Sequence, residues 1–269
     1  MSYVLFQFDP VEKFVSTVGR RAAIHILPIF DWTKFYESNC LVSNPLHESQ
    51  SELKLEDCNI CESVNKIERI KDITEAKLVN KYLKQDRPVI VQDGLKQNDI
   101  SKFTVDFLTK IFEDSMFEGC EFTSNVKVGG HRSFLKQVNA GEHEHYFAYW
   151  RNCFEEPAKE FRFYFKKPYF FSSVVELIDT NWVYIAKNYT AKSSKPILIE
   201  GPVIMLMQMK GSVDIVLIPD KLCSDICSEV TQTLHEGEIL LLTDFLWLID
   251  YYPRGTGESI GIGVTASFD

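Results

Sequence analysis

Leu198-Ile199-Glu200-Gly201-Pro202-Val203-Ile204-Met205-Leu206-Met207-Gln208-Met209-Lys210-Gly211-Ser212-Val213-Asp214-Ile215-Val216-Leu217-Ile218-Pro219 reads as two strands that meet at a glycine turn. A second stretch has the same character. Gly237-Glu238 opens Ile239-Leu240-Leu241-Leu242-Thr243, and the chain runs on through Phe245-Leu246-Trp247-Leu248. Around these two stretches the sequence marks about eight short strands, near Trp182, Ile197, Ile204, Ile215, Thr231, Leu240, Leu248 and Ile262, each bounded by Gly, Pro or polar residues. Such spacing predicts a barrel or sandwich rather than a parallel α/β sheet.

Upstream the signals change. Residues 1–66 read as an irregular extension, because the Asn, Ser, Glu and His content between Ser38 and Glu56 sustains no period. From Ile67 onward, Asp72 and Glu75 resemble a capping box ahead of a helix whose face is Ala76, Val79 and Leu83. Arg87-Pro88 breaks it, and Val89-Ile90-Val91 reads as a buried strand closed by Asp93-Gly94. A second helix is predicted after Thr104 as cap, with Val105, Leu108, Ile111 and Phe112 inward. The domain is expected over 67–269, with helices and strands leading in over 67–172 and the β core over 173–269.

The order of these elements resembles the Jumonji C (JmjC), or cupin-like, Fe(II)/2-oxoglutarate dioxygenases, in a form that lacks its metal ligands. The resemblance covers roughly residues 67–266 and implies a double-stranded β-helix, mainly β with flanking helices. In that family His-x-Asp/Glu precedes the Gln of a Gln-x-x-Gly turn, which places the histidine at Leu198 and the acid at Glu200, counting from Gln208 and Gly211. A distal histidine follows the Gly-Asp/Glu pair, here at Leu248. Non-haem iron needs two imidazoles and a carboxylate on one face, and leucine has no lone pair. Shifting the alignment does not help, because no histidine lies between Tyr146 and Leu234 and none follows His235. The resemblance also places two 2-oxoglutarate contacts at Ile204 and Val213, both apolar here. Leu198, Ile204, Val213 and Leu248 are therefore expected as packing residues in a dry barrel mouth, with no metal and no cofactor.

Composition narrows the classes of partner. The chain has 269 residues, 45% of them hydrophobic, and a net charge of -9. That balance argues against nucleic acid, because affinity for the phosphate backbone comes from clustered Lys and Arg. The aromatic and basic stretch Phe161 to Phe171 reads instead as a buried approach to the barrel. No apolar run is long enough to cross a bilayer. Ala22 to Phe30 behind Arg20-Arg21 is too short and too far in for a signal peptide, so the chain reads as soluble, untargeted, and cytoplasmic or nuclear. The alternative is a luminal or extracellular setting, if the cysteines are disulfide-bonded. The pairs to test there are Cys58/Cys61, Cys120/Cys153 and Cys223/Cys227, leaving Cys40 free. Cys58 and Cys61 alone are a weak zinc signal, since a structural zinc needs four ligands.

Glu142-His143-Glu144-His145 is the densest group of potential metal ligands, and it lies outside both metal frames; an exposed acidic loop is the expectation. Asn188-Tyr189-Thr190 is a lone glycosylation sequon, a match that also arises by chance. Asp269 follows the last strand closely, so dimerisation through helices after that strand, as in several family members, is not expected. The reading is a catalytically inactive JmjC-like domain, not an enzyme, that acts as a protein-binding or scaffold module. Two alternatives stand beside it: a hydroxylase with an unorthodox iron site built from Glu200 and other carboxylates, and a metal-free cupin that binds a small ligand.

Overall fold

The computed structural model describes residues 53–113, 121–152, 155–171, 175–199, 201–253 and 257–267. Leu53–Asp269 forms one compact unit. Its strands are β1 Glu68–Ile70, β2 Val89–Val91, β3 Glu121–Ser124, β4 Tyr146–Asn152, β5 Glu176–Lys187, β6 Lys195–Pro196, β7 Val203–Lys210, β8 Ser212–Pro219, β9 Val230–His235, β10 Ile239–Leu242, β11 Trp247–Tyr252 and β12 Glu258–Ser267. Five α-helices accompany them: α1 Asn59–Glu62, α2 Glu75–Lys81, α3 Val105–Phe112, α4 His131–Asn139 and α5 Glu155–Arg162.

From β5 onward the chain winds between two sheets. The eight-stranded sheet has the order β1-β2-β10-β7-β12-β5-β4-β3 and the four-stranded sheet the order β6-β11-β8-β9. Successive strands β5, β6, β7 and β8 alternate between the sheets, the β8–β9 hairpin stays in the second, and β10, β11 and β12 alternate again. All pairings among β5–β12 are antiparallel. This winding is a double-stranded β-helix, the jelly roll of cupins. Each of the eight strands expected from sequence is present, and the lead-in strands β1 to β4 widen one sheet.

Two apolar cores result. Alternate side chains of both sheets meet inside the barrel, among them Tyr184, Leu206 and Leu240 from one and Ile215, Leu217, Leu234 and Ile249 from the other. The opposite face of the eight-stranded sheet, with Val183, Met205, Met207, Leu241 and Ile262, is covered by Leu78 of α2, Leu108 and Phe112 of α3, Phe134 of α4 and Phe161 of α5. The approach segment is buried through Phe161, Phe165, Phe170 and Phe171, but Phe163 and Tyr164 are exposed.

Local chemistry sets the helix ends. Thr104 caps α3 as expected, its Oγ1 accepting from Phe107 N at 3.2 Å, and Val105, Leu108, Ile111 and Phe112 are the buried face. The start of α2 differs from expectation. Thr74, not Asp72, is the cap. Asp72 adopts φ 49 and is held outside the helix, its carboxylate 2.8 Å from Lys96 Nζ and its amide donating to Asp93 Oδ1. The buried side chains there are Leu78, Tyr82 and Leu83, with Ala76 exposed. Residues 53–66, expected as the end of an irregular extension, belong to the compact unit.

Candidate functional site

The barrel interior is where a cupin fold offers room for a ligand, and here Tyr184 and Ile199 lie tight against β12 inside it. Gly261 and Gly263 face inward from β12, and each is a glycine because a neighbour occupies the space of its Cβ. A methyl group at 261 would overlap the Tyr184 ring, and one at 263 would overlap Ile199 Cδ1. Tyr184, Tyr251, Tyr149 and Trp182 form an aromatic group around this plug, with Tyr184 and Tyr251 ring centroids 5.2 Å apart. Burial pushes the phenols of Tyr184 and Tyr251 well above their ordinary range, so both stay neutral; the buried Tyr251 hydroxyl has no hydrogen-bond partner among the described residues.

Gln208, from the Gln-x-x-Gly turn, closes one end of the interior. The Tyr184 hydroxyl donates to its Oε1 at 2.6 Å, while its Nε2 donates to Lys210 O at 2.7 Å and Ser259 Oγ at 2.9 Å. A buried amide is thus fully paired. Gly211, with φ 66, completes the turn; a Cβ there would strike the Glu258 carbonyl oxygen. Sequence reading found Gln208 and Gly211 but not their partners Tyr184 and Ser259, which converge only after the chain has wound twice around the barrel.

The positions read as degenerate ligands separate into two kinds. Ile204 and Val213 are buried in the barrel core, as expected. Leu198 and Leu248 are not packing residues: they are 57% and 58% exposed. On β11 the side chains of Trp247, Ile249 and Tyr251 point into the barrel, so strand alternation turns Leu248 outward. Buried Ile199 likewise leaves Leu198 on the outer side. Glu200 lies outside the described residues. No group of three His, Cys, Asp or Glu among the described residues comes together in a way that could hold a metal ion. Two outward leucines do not fit Fe(II).

Leu198 and Leu248 nevertheless belong together. The β6–β11 register pairs Asp250 with Pro196, and continuing it brings Leu248 opposite Leu198; on the other side Leu248 pairs with Ile218 of β8. Three aliphatic side chains form a row across the outer face of the four-stranded sheet. The loop after β8 adds exposed Leu222 and Ile226. Among the described residues, four of the seven exposed large hydrophobics lie on this sheet or its loop. Carboxylates of Asp225, Glu229 and Asp250 lie nearby in sequence or on the same face.

That loop is also crosslinked. Cys58 is bonded to Cys223 and Cys61 to Cys227, with Cα–Cα distances of 5.3 and 5.4 Å. The local pairs Cys58/Cys61 and Cys223/Cys227 expected for a luminal chain are corrected by this geometry. Each pair sits on its own helical turn, and the two turns face each other. Cys40, Cys120 and Cys153 lie outside the described residues. The histidine group, in contrast, is a loop ahead of β4, as expected: His143 meets Gln137 Oε1 and His145 meets Asn188 O, each at 2.9 Å.

The fold is that of a cupin-type jelly roll, a double-stranded β-helix. No family model matches the chain, and no curated protein matches it. Among solved structures, that of YcfD, a ribosomal oxygenase from Escherichia coli, is 14% identical and covers 72% of this chain and 51% of that one, with a TM-score of 0.45. A second, an X-ray structure of E. coli ycfD, is 13% identical and covers 71% and 52%, with a TM-score of 0.43. The chain spans about half the length of these neighbours. At such identities the likeness is one of fold. The expectation that the chain is no enzyme stands corrected to this extent, that the neighbour named first is a ribosomal oxygenase.

Proposed function

We propose that this JmjC-like domain binds a protein partner on the outer face of its four-stranded sheet. The row Leu198, Leu248 and Ile218 carries the reading. Leu198 and Leu248 are exposed and Ile218 half-buried beside them, and exposed aliphatic side chains grouped together commonly mark an interaction surface. The fitting partner offers aliphatic side chains at its centre and basic residues at its rim, to meet Asp225, Glu229 and Asp250. Tyr184 and Ile199 packed tightly against Gly261 and Gly263 inside the barrel are in keeping with recognition on the outer face.

The test compares wild type with Leu198→Asp/Leu248→Asp as bait in extracts of the native tissue, with retained proteins identified by mass spectrometry. The expected result is a basic-surfaced protein kept by wild type and lost by the double variant at unchanged melting temperature. An identical set of retained proteins overturns the proposal. So does a purified chain that is itself a dimer and becomes a monomer on substitution, because the face then binds a second copy.

The bridges Cys58–Cys223 and Cys61–Cys227 support a luminal or extracellular setting, since cytosolic reductants keep thiols free. This favours the alternative to the cytoplasmic or nuclear reading. Peptide mapping after alkylation is expected to recover both linked pairs. Free thiols at all four positions, or one equivalent of zinc held by them, would overturn it.

A further inference from the structure

Asn188 is the single asparagine in the chain followed two residues later by Ser or Thr, in Asn188-Tyr189-Thr190. The sequence alone gives this no weight, and the structure adds three observations. Asn188 and Thr190 are both exposed in the loop that leaves β5. The segment is at the surface but fixed: Asn188 has φ 50, its Oδ1 accepts from Gly257 N at 2.8 Å, and the Tyr189 ring lies 4.6 Å from that of Phe147. The third observation is the pair of disulfides, which belong to the compartment where asparagine is glycosylated.

We propose that Asn188 carries an N-linked oligosaccharide. The donor is an oligosaccharide held on a lipid diphosphate. Asn188 Nδ2 forms the new C–N bond at the anomeric carbon as the C–O bond to diphosphate breaks; Nδ2 gives up one proton, and the lipid diphosphate leaves with the bonding electrons. Nothing is oxidised or reduced. The folded loop accepts the product. Nδ2 donates a hydrogen bond to Glu144 O at 3.3 Å, and a substituted amide keeps one hydrogen for that bond. Oδ1 keeps its bond from Gly257.

Position matters for the binding surface. Ala191 N donates to Pro253 O, and Asn188 N to Gly257 O, so the loop sits at the end of β11 away from Leu248. Five residue steps along the chain separate Leu248 from Pro253, about 16 Å at roughly 3.3 Å per residue. A glycan there projects from one end of the four-stranded sheet and leaves the aliphatic row open to a partner.

The inference rests on the proposed luminal or extracellular setting, and the test separates the two. Protein from its own cells, alkylated before lysis, is treated with peptide-N-glycosidase and mapped. The expected result is Asn188 converted to Asp, with both disulfide-linked peptides recovered. Thr190→Ala made in the same cells is expected to lose the glycan and keep both bridges, whereas Thr190→Ser keeps both. These variants spare the hydrogen bonds that Asn188→Gln would remove. Unmodified Asn188 beside intact bridges overturns the glycan alone; unmodified Asn188 with all four thiols alkylated overturns the glycan and the setting together.

Discussion

On β7 every side chain but the last is buried, and on β10 all four are, because helices cover one face of the eight-stranded sheet and the barrel interior the other. On β11 buried and less buried side chains alternate along the strand. The first pattern suits a strand covered on both faces, and the second a strand with one face open to water. Among the described residues, helices pack on the outer face of one sheet alone, and the other carries the more exposed side chains of β11. That face holds the aliphatic row and the crosslinked loop.

The largest expected effect comes from the covalent tie at the edge of the open sheet. Each bridge closes a span of 165 or 166 residues, but with one in place the other closes only a small ring. Replacing both cysteines of either pair by Ser is expected to cost about 2 to 3 kcal/mol. Replacing all four should cost on the order of 5 kcal/mol or more, since the long loop is then released. Urea denaturation of the three variants measures this. Equal losses at each step would show that the bridges act independently, contrary to their interlaced geometry.

A comparison of the two outer faces follows. Met207→Ala, on the helix-covered face, is expected to cost about 2 to 5 kcal/mol because it opens a cavity in a closed core. Leu248→Ala on the open face should stay within about 0.5 kcal/mol. Similar losses at both sites would mean that Leu248 is covered, and the proposed docking surface would fall with it.

Inside the barrel, Gly261→Ala is expected to cost about 1 to 3 kcal/mol, since the added methyl group must displace the Tyr184 ring. Ile249→His, one residue from Leu248 but facing inward, should cost a similar amount, on the order of 1 to 3 kcal/mol, by burying an unpartnered imidazole. Melting curves of the two variants give the answer. A neutral Gly261→Ala would indicate that Tyr184 swings aside easily and that the interior can open to a ligand.

The architecture was legible because most strands of the β-helix are apolar and bounded by a turn residue, as at Gly211 and Gly237. The eight strand positions needed no knowledge of pairing. Facing was harder. Leu-Leu-Leu at 240–242 looks the same whether a strand is buried on one side or both. At Leu248 a one-residue displacement in register exchanges barrel interior for solvent. Counting along the family pattern puts 248 at a ligand position, while the alternation of Trp247, Ile249 and Tyr251 turns it outward. The cysteines were misread for a related reason. Spacing within each pair suggested local closure, and their true partners are more than half the chain away, brought together by the fold of the β8–β9 loop over residues 55–62.

The smallest expected effect is the sharpest test of facing. Leu198→His with Leu248→His supplies the two imidazoles that the family pattern asks for, at positions the structure places on the outer face. Were these side chains inward, each imidazole would be buried without a partner, and the pair would destabilise the domain by several kcal/mol unless iron compensated. With both outward, the imidazoles remain hydrated and the double variant should unfold within about 0.5 kcal/mol of wild type. It should also retain no stoichiometric Fe(II) after desalting, because among the described residues no group of His, Cys, Asp or Glu is gathered to complete a facial triad. Differential scanning calorimetry and elemental analysis of the same preparation read both outcomes. One equivalent of iron, bound with a raised melting temperature, would show that residues 198 and 248 can turn inward together, and the apolar row would no longer stand as a surface for a partner.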